Sequence, residues 1–160
     1  MNFKILSIVT AAIVVGCSIA SLSVSKDKIT ESSSTGFVAV QPDSIKWKSA
    51  PNAPEVQFAV IFGNPLEAGP LIMRYRLPAS FQVQPHTHPN TRTYTILSGE
   101  WRLGLGEKFE IEKLQTFTQG GLYRLPANLP HFQKAGSVGA TIQIESIGPD
   151  GFKFLESQQE

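Results

Sequence analysis

From residue 37 onward the chain sustains no helical period. What recurs is apolar–polar alternation in short runs closed by glycine and proline. Residues 56–62 (VQFAVIF) are a nearly continuous apolar run, stopped by Gly63-Asn64-Pro65. In residues 71–77 (LIMRYRL), Leu71, Met73, Tyr75 and Leu77 share one face. Ile72, Arg74 and Arg76 share the other, and Pro78 ends the run. Residues 92–97 (RTYTIL) are rich in β-branched side chains and close at Ser98-Gly99. Residues 100–105 (EWRLGL) follow, with Trp101, Leu103 and Leu105 on one face. Two such runs meeting at Ser-Gly predict a hairpin. Residues 107–119 read as strand or short helical turn, with Phe109, Ile111, Leu114 and Phe117 to pack. Residues 122–125 and 131–134 flank a Pro-Ala-Asn turn. In residues 140–147, Ile142 and Ile144 alternate with Gln143 and Glu145 until Gly148-Pro149. Many short strands at turn-punctuated intervals imply an all-β sandwich or barrel.

The chain has 160 residues, 41% of them apolar and 17% charged, which suits one globular domain. The 14 basic and 13 acidic residues nearly cancel, and no lysine or arginine cluster forms, so no nucleic-acid partner is expected. A single cysteine, Cys17, excludes an intrachain disulfide and a cysteine-rich zinc site. Cys17 follows an apolar run, residues 5–15, that is too short to cross a ~30 Å hydrocarbon core as a helix. Its length suits a signal peptide. Val14-Val15-Gly16-Cys17 resembles a lipobox, in which the cysteine carries the lipid. Ser18-Ile19-Ala20 offers an ordinary cleavage site instead. The expectation is a signal peptide over 1–20, a serine-rich tether over 21–36 and a folded domain over 37–156. The mature protein is expected outside the cytoplasm, periplasmic or held to a membrane only by a lipid on Cys17.

The three histidines carry the main chemical signal. His86 and His88 stand at i and i+2, so on an extended strand both imidazoles leave the same face. Pro85 and Pro89 bracket them. His131 follows a glycine- and proline-containing turn. Neutral imidazoles suit Zn, Fe, Ni or Cu, and three of them leave coordination positions open.

On these residues the chain resembles the cupin superfamily. Its first motif pairs His-x-His with a glutamate and then a glycine. Here the stretch runs His86-Thr87-His88-Pro89-Asn90-Thr91-Arg92, then on to Gly99. The second motif spaces glycine, proline, glycine and histidine as Gly120, Pro126, Asn128 and His131 stand here. Asparagine suits a motif-glycine place because it enters the left-handed region more readily than most residues. The resemblance covers roughly residues 45–153. It implies a double-stranded β-helix, the cupin or jelly-roll barrel, with a divalent metal (Zn, Fe, Ni, Mn or Cu) on His86, His88 and His131. It also allows a homodimer. The sequence departs from the motifs in three places: Arg92 replaces the glutamate, Ser80 an upstream glycine, and Ala135 an asparagine.

Arg92 cannot be a ligand, because guanidinium stays protonated and has no lone pair to give. Three arrangements are open. The histidines hold the metal alone; Glu145 supplies the missing carboxylate; or no metal binds and Arg92 pairs an anionic ligand. Tyr94 has the parity of Arg92, and Gln133 that of His131. With Tyr75 and Gln143 they are the candidates to line a substrate pocket or, for Tyr94, to move a proton. Ile142 and Ile144 make the obvious core face of their strand, which reads Gln143 and Glu145 as solvated. The functional expectation is a small-molecule metalloenzyme of oxygenase, isomerase or lyase type, with Arg92, Tyr94 and Glu145 as catalytic candidates. The alternative is a non-catalytic module that binds or senses a metal or small molecule through a degenerate site.

Overall fold

The computed structural model describes residues 36–155. The expected signal segment, Cys17 and nearly all of the tether lie outside the described residues. Nine strands follow one another: β1 (Lys48–Ala50), β2 (Ala53–Phe62), β3 (Gly69–Leu77), β4 (Gln82–Thr87), β5 (Arg92–Leu105), β6 (Gln115–Thr118), β7 (Leu122–Leu125), β8 (His131–Gly148) and β9 (Lys153–Phe154). All pairings are antiparallel. The sheet runs β1-β2-β3-β8-β4-β9, and β5 joins β8 to β6 and β7.

The Ser98-Gly99 hairpin expected from sequence does not form. β5 passes straight through it as one bent strand. Its register against β8 shifts between Ile96 and Ser98 and again between Gly99 and Trp101. Gly99 sits at φ 74°, and a Cβ there would lie 2.2 Å from the Gly139 carbonyl oxygen. The Ser-Gly pair therefore makes a bulge where two backbones press together, and the chain bends instead of reversing. β8 likewise continues from His131 through Gly139 to Gly148, where the sequence suggested two separate runs. These two long strands pair from Arg92↔Ser146 to Leu105↔His131 and curl the sheet round an apolar interior.

The alternation places most of the interior as expected; Leu105, expected on the face of Trp101 and Leu103, is 50% exposed. Leu71, Met73, Leu77, Ile142 and Ile144 are buried on the inner face, with Ile96 and Trp101 from β5. Residues 107–119 realise both readings in turn: a 3-10 turn over Ile111–Lys113, then β6. Phe109 covers Phe132 with ring centroids 4.8 Å apart.

Two motif positions explain themselves as backbone. Ser80 and Asn128 stand where the cupin motifs carry glycine, and both have φ 60°; among the described residues no other non-glycine has positive φ. The required left-handed conformation is kept without glycine. Ser80 is held by its N–H donating to the Gly136 carbonyl at 2.9 Å. Asn128 is held by its N–H donating to the His88 carbonyl at 2.8 Å. The second contact ties the turn before β8 to the histidine segment.

Candidate metal centre

β4 carries His86, and His88 follows its last residue, so the i, i+2 pair keeps one face. His131 opens β8 and is the register partner of His86. The three side chains converge. Their ligand atoms lie within 4.8 Å of one another, and the residues are only 1%, 4% and 1% exposed. Ring centroids are 4.1 Å apart for His86 and His131, 4.8 Å for His86 and His88, and 5.1 Å for His88 and His131. All three pairs are mutually tilted.

Hydrogen bonding decides which nitrogen is free. Nδ1 of His86 lies 2.7 Å from the Gln84 carbonyl oxygen, Nδ1 of His88 2.8 Å from that of Gly151, and Nδ1 of His131 2.9 Å from that of Leu129. A carbonyl oxygen only accepts, so each Nδ1 carries the proton and each Nε2 keeps its lone pair. This carbonyl-backed arrangement is what metal-ligating histidines generally show. Nε2 of His131 is buried with no protein partner. The donor set therefore fits a divalent ion of the nitrogen-loving kind. Burial holds the imidazoles neutral as well. It pushes His86 down to about 3, with help from His131, and His88 down to about 2, with help from Arg92. It also lowers His131.

Among the described residues no carboxylate joins the three histidines. Glu145 does not take that place. It is exposed, on the outer face of β8, where it accepts a bond from Nε2 of Gln143 at 2.9 Å. Gln143 in turn accepts from Nε of Arg74 at 2.9 Å. Neither Glu145 as a catalytic group nor Gln143 as a pocket residue survives, because alternation with buried Ile142 and Ile144 turns both outward.

Arg92 lies inside, 4% exposed, with its Nε buried and without a hydrogen-bond partner among the described residues. Its guanidinium makes an ion pair with Asp150 and donates to the Gly151 carbonyl at 2.8 Å. Tyr94 is buried beside the site, with its hydroxyl 3.3 Å from Nε2 of His88. Because that nitrogen is the unprotonated one, the phenol is the donor. Burial raises the Tyr94 phenol, which keeps it protonated. Gln133 is buried on the same inner face and donates to the Tyr123 hydroxyl at 2.8 Å. Trp101 donates to the same oxygen from Nε1 at 2.9 Å. Tyr75 is half-buried on β3 and is pushed up to about 12, chiefly by burial and then by Asp150.

Sequence reasoning missed the segment after β8. Asp150 and Gly151 grip Arg92, and Phe152 lies nearly parallel on His86, with centroids 4.2 Å apart and 13° between planes. The available signal was Asp-Gly-Phe directly after the Gly148-Pro149 stop, a carboxylate with no assigned partner in a chain whose Arg92 also had none.

The curled sheet and its histidine cluster define a class: this chain has the cupin fold. No protein-family model matches the chain, and no curated protein matches it in sequence. Among solved structures, it is similar to the polyketide cyclase RemF of Streptomyces resistomycificus, at TM-score 0.61 and 16% identity. The match covers 76% of this chain and 88% of that one. It is similar to an RmlC-like cupin of Ralstonia eutropha at TM-score 0.61 and 16% identity, over 78% and 76% of the two chains. The DMSP lyase DddQ of Ruegeria pomeroyi aligns at TM-score 0.58 and 14% identity, over 74% and 64%.

Proposed function

We propose that this protein is a metalloprotein that binds one divalent ion on His86, His88 and His131 and acts on a small molecule. One observation carries the reading. Three buried imidazoles bring their unprotonated Nε2 atoms together, each with its Nδ1 proton committed to a carbonyl. A divalent ion held there supplies Lewis acidity and leaves coordination positions for water or an oxygen-bearing substrate. The chain's own contribution is a buried, preorganised site. The Tyr94 hydroxyl keeps its proton and lies 3.3 Å from Nε2 of His88, so it is the group that would hold or move a proton at the site. Phe152 covers the His86 ring from the solvent side, being 49% exposed itself. Enzymes occur among the solved structures of similar fold, including a cyclase and a lyase, which supports catalysis on a small molecule; the reaction proposed is of oxygenase, isomerase or lyase type.

Metal analysis tests the reading. The protein, purified without chelator and kept from air, should hold close to one equivalent of Zn, Fe, Ni, Mn or Cu. His88→Ala and His131→Ala should lose it. Anaerobic, metal-supplemented wild-type protein with little bound metal would overturn the proposal.

The lack of a carboxylate among the inner ligands favours a second reading, a sensing or binding module without turnover. Product formation or oxygen uptake against a panel of small molecules separates the two. Tyr94→Phe should abolish turnover while keeping metal if the protein is an enzyme. Export, with a lipid on Cys17, completes the proposal; mass spectrometry of the membrane fraction should find the lipid in wild type and not in Cys17→Ser.

A further inference from the structure

Resting on the histidines as a metal site, we infer that the strap formed by residues 149–155 is the outer shell of that site, and that Arg92 is its positioning residue. The strap docks almost wholly onto the segment that carries two of the ligands. The Asn90 side-chain amide donates to the Pro149 carbonyl, and the Leu155 N–H donates to the Pro85 carbonyl at 2.9 Å. Phe152 stacks on His86, while Phe154 and Lys153 pair in β9 with His86 and Thr87 of β4. Outside that segment, the Asp150 N–H donates to the Pro65 carbonyl at 2.7 Å.

The Gly151 carbonyl is the centre of this arrangement. It accepts from Nδ1 of His88 at 2.8 Å and from the Arg92 guanidinium at 2.8 Å. The same guanidinium grips the Asp150 carboxylate. Both contacts come from Nη2, whose two N–H groups reach the carboxylate and the next residue's carbonyl together; a lysine side chain ends short of that position. Arg92 therefore fixes the strap, and the strap fixes His88.

The other two ligands need no such help. His86 and His131 donate to carbonyls two residues earlier in their own strands or turns, whereas the His88 acceptor is 63 residues away. A carbonyl on Nδ1 selects the tautomer that frees Nε2 and raises its basicity. Without the strap, His88 alone loses that support. This also accounts for a cation in the place of a motif glutamate. The Arg92 charge is matched by Asp150 instead of standing bare against the three nitrogens.

Gly151 offers a charge-neutral way to test the chain of contacts. A Cβ on it would lie 2.7 and 2.8 Å from Cγ and Cδ of Pro89, so Gly151→Ala must push the strap off this wall without removing the charge of Arg92 or Asp150. The full chain would be compared as wild type, Gly151→Ala, Asp150→Asn and Arg92→Lys. Metal-free protein is read by imidazole proton–nitrogen NMR, and zinc affinity by chelator competition. The Nδ1–H signal of His88 should broaden or vanish in all three variants, with those of His86 and His131 retained. Zinc affinity should fall about 10- to 100-fold. A strap that merely stabilises the barrel would lower thermal stability and leave the His88 signal intact, which overturns the inference. So does an unchanged zinc affinity in Gly151→Ala and Asp150→Asn when wild type binds zinc. Failure of wild type to bind zinc, iron, nickel, manganese or copper would sink the metal reading and, with it, the strap's role as an outer shell. The His88 signal would then still show whether Arg92 positions that side chain.

Discussion

The same strands carry two polar systems, one on each face of the sheet. Inside, Arg92 pairs with Asp150, Tyr94 with His88, and Gln133 and Trp101 with Tyr123, all in the sheet's interior. Outside, Arg74, Gln143 and Glu145 form a chain of bonds of similar length in contact with water. The bonds look alike, yet their worth differs. Breaking an outer bond returns its groups to solvent, whereas breaking an inner one strands a buried donor or charge.

Substitutions on the two faces should therefore diverge. The largest effect is expected from Arg92→Glu. From the motif alone, a glutamate at this place would complete a metal site. In the structure it would face Asp150 and remove the partner of a mostly buried carboxylate. Denaturant unfolding should show a loss of about 3–5 kcal/mol. A gain in stability together with tighter zinc binding would break the contrast between the faces.

Acid should expose the inner face next. The folded-state values of the three imidazoles lie below the ordinary histidine value, so the unfolded chain takes up protons first as pH falls. Their contribution is complete above about 6.5 and drains away below it, through the range in which His86 and His88 at last titrate, about 3 and about 2. The melting temperature of metal-free protein should drop from pH 7 to pH 4, and His88→Ala should flatten that slope by the share of one proton. A profile equally steep in the variant would remove His88 from the account.

Tyr123→Phe takes the shared acceptor away from buried Trp101 and Gln133. A loss of about 1–3 kcal/mol is expected, with no change in metal content. The smallest effect belongs to the outer face. Glu145→Gln should alter stability by about 0.5 kcal/mol or less and leave zinc affinity as in wild type. A clear loss of affinity would return Glu145 to the site.

Much of the site was legible because its geometry is local. An i, i+2 histidine pair on an extended strand has no choice but to share a face. The left-handed φ at Asn128 was expected from the motif spacing, whereas Ser80 was read only as a departure from the motif and keeps the same φ. The strand alternation already turned Gln143 and Glu145 away from Ile142 and Ile144, and the structure agrees with that pattern against their proposed chemical roles. What misled was the Ser98-Gly99 pair. A glycine at positive φ serves a hairpin and a bulge equally well, and only the approach of Gly139 from another strand selects the bulge.

By itself the sequence determined the all-β class, the faces of the strands, and which side chains can ligate, since each depends on residue type and on neighbours a few positions away. Tertiary structure alone decided where the charge of Arg92 goes and which carbonyl orients His88, because Asp150 and Gly151 stand 58 and 63 residues from those partners. Whether such distant groups meet depends on how the whole sheet curls, and no local period records that.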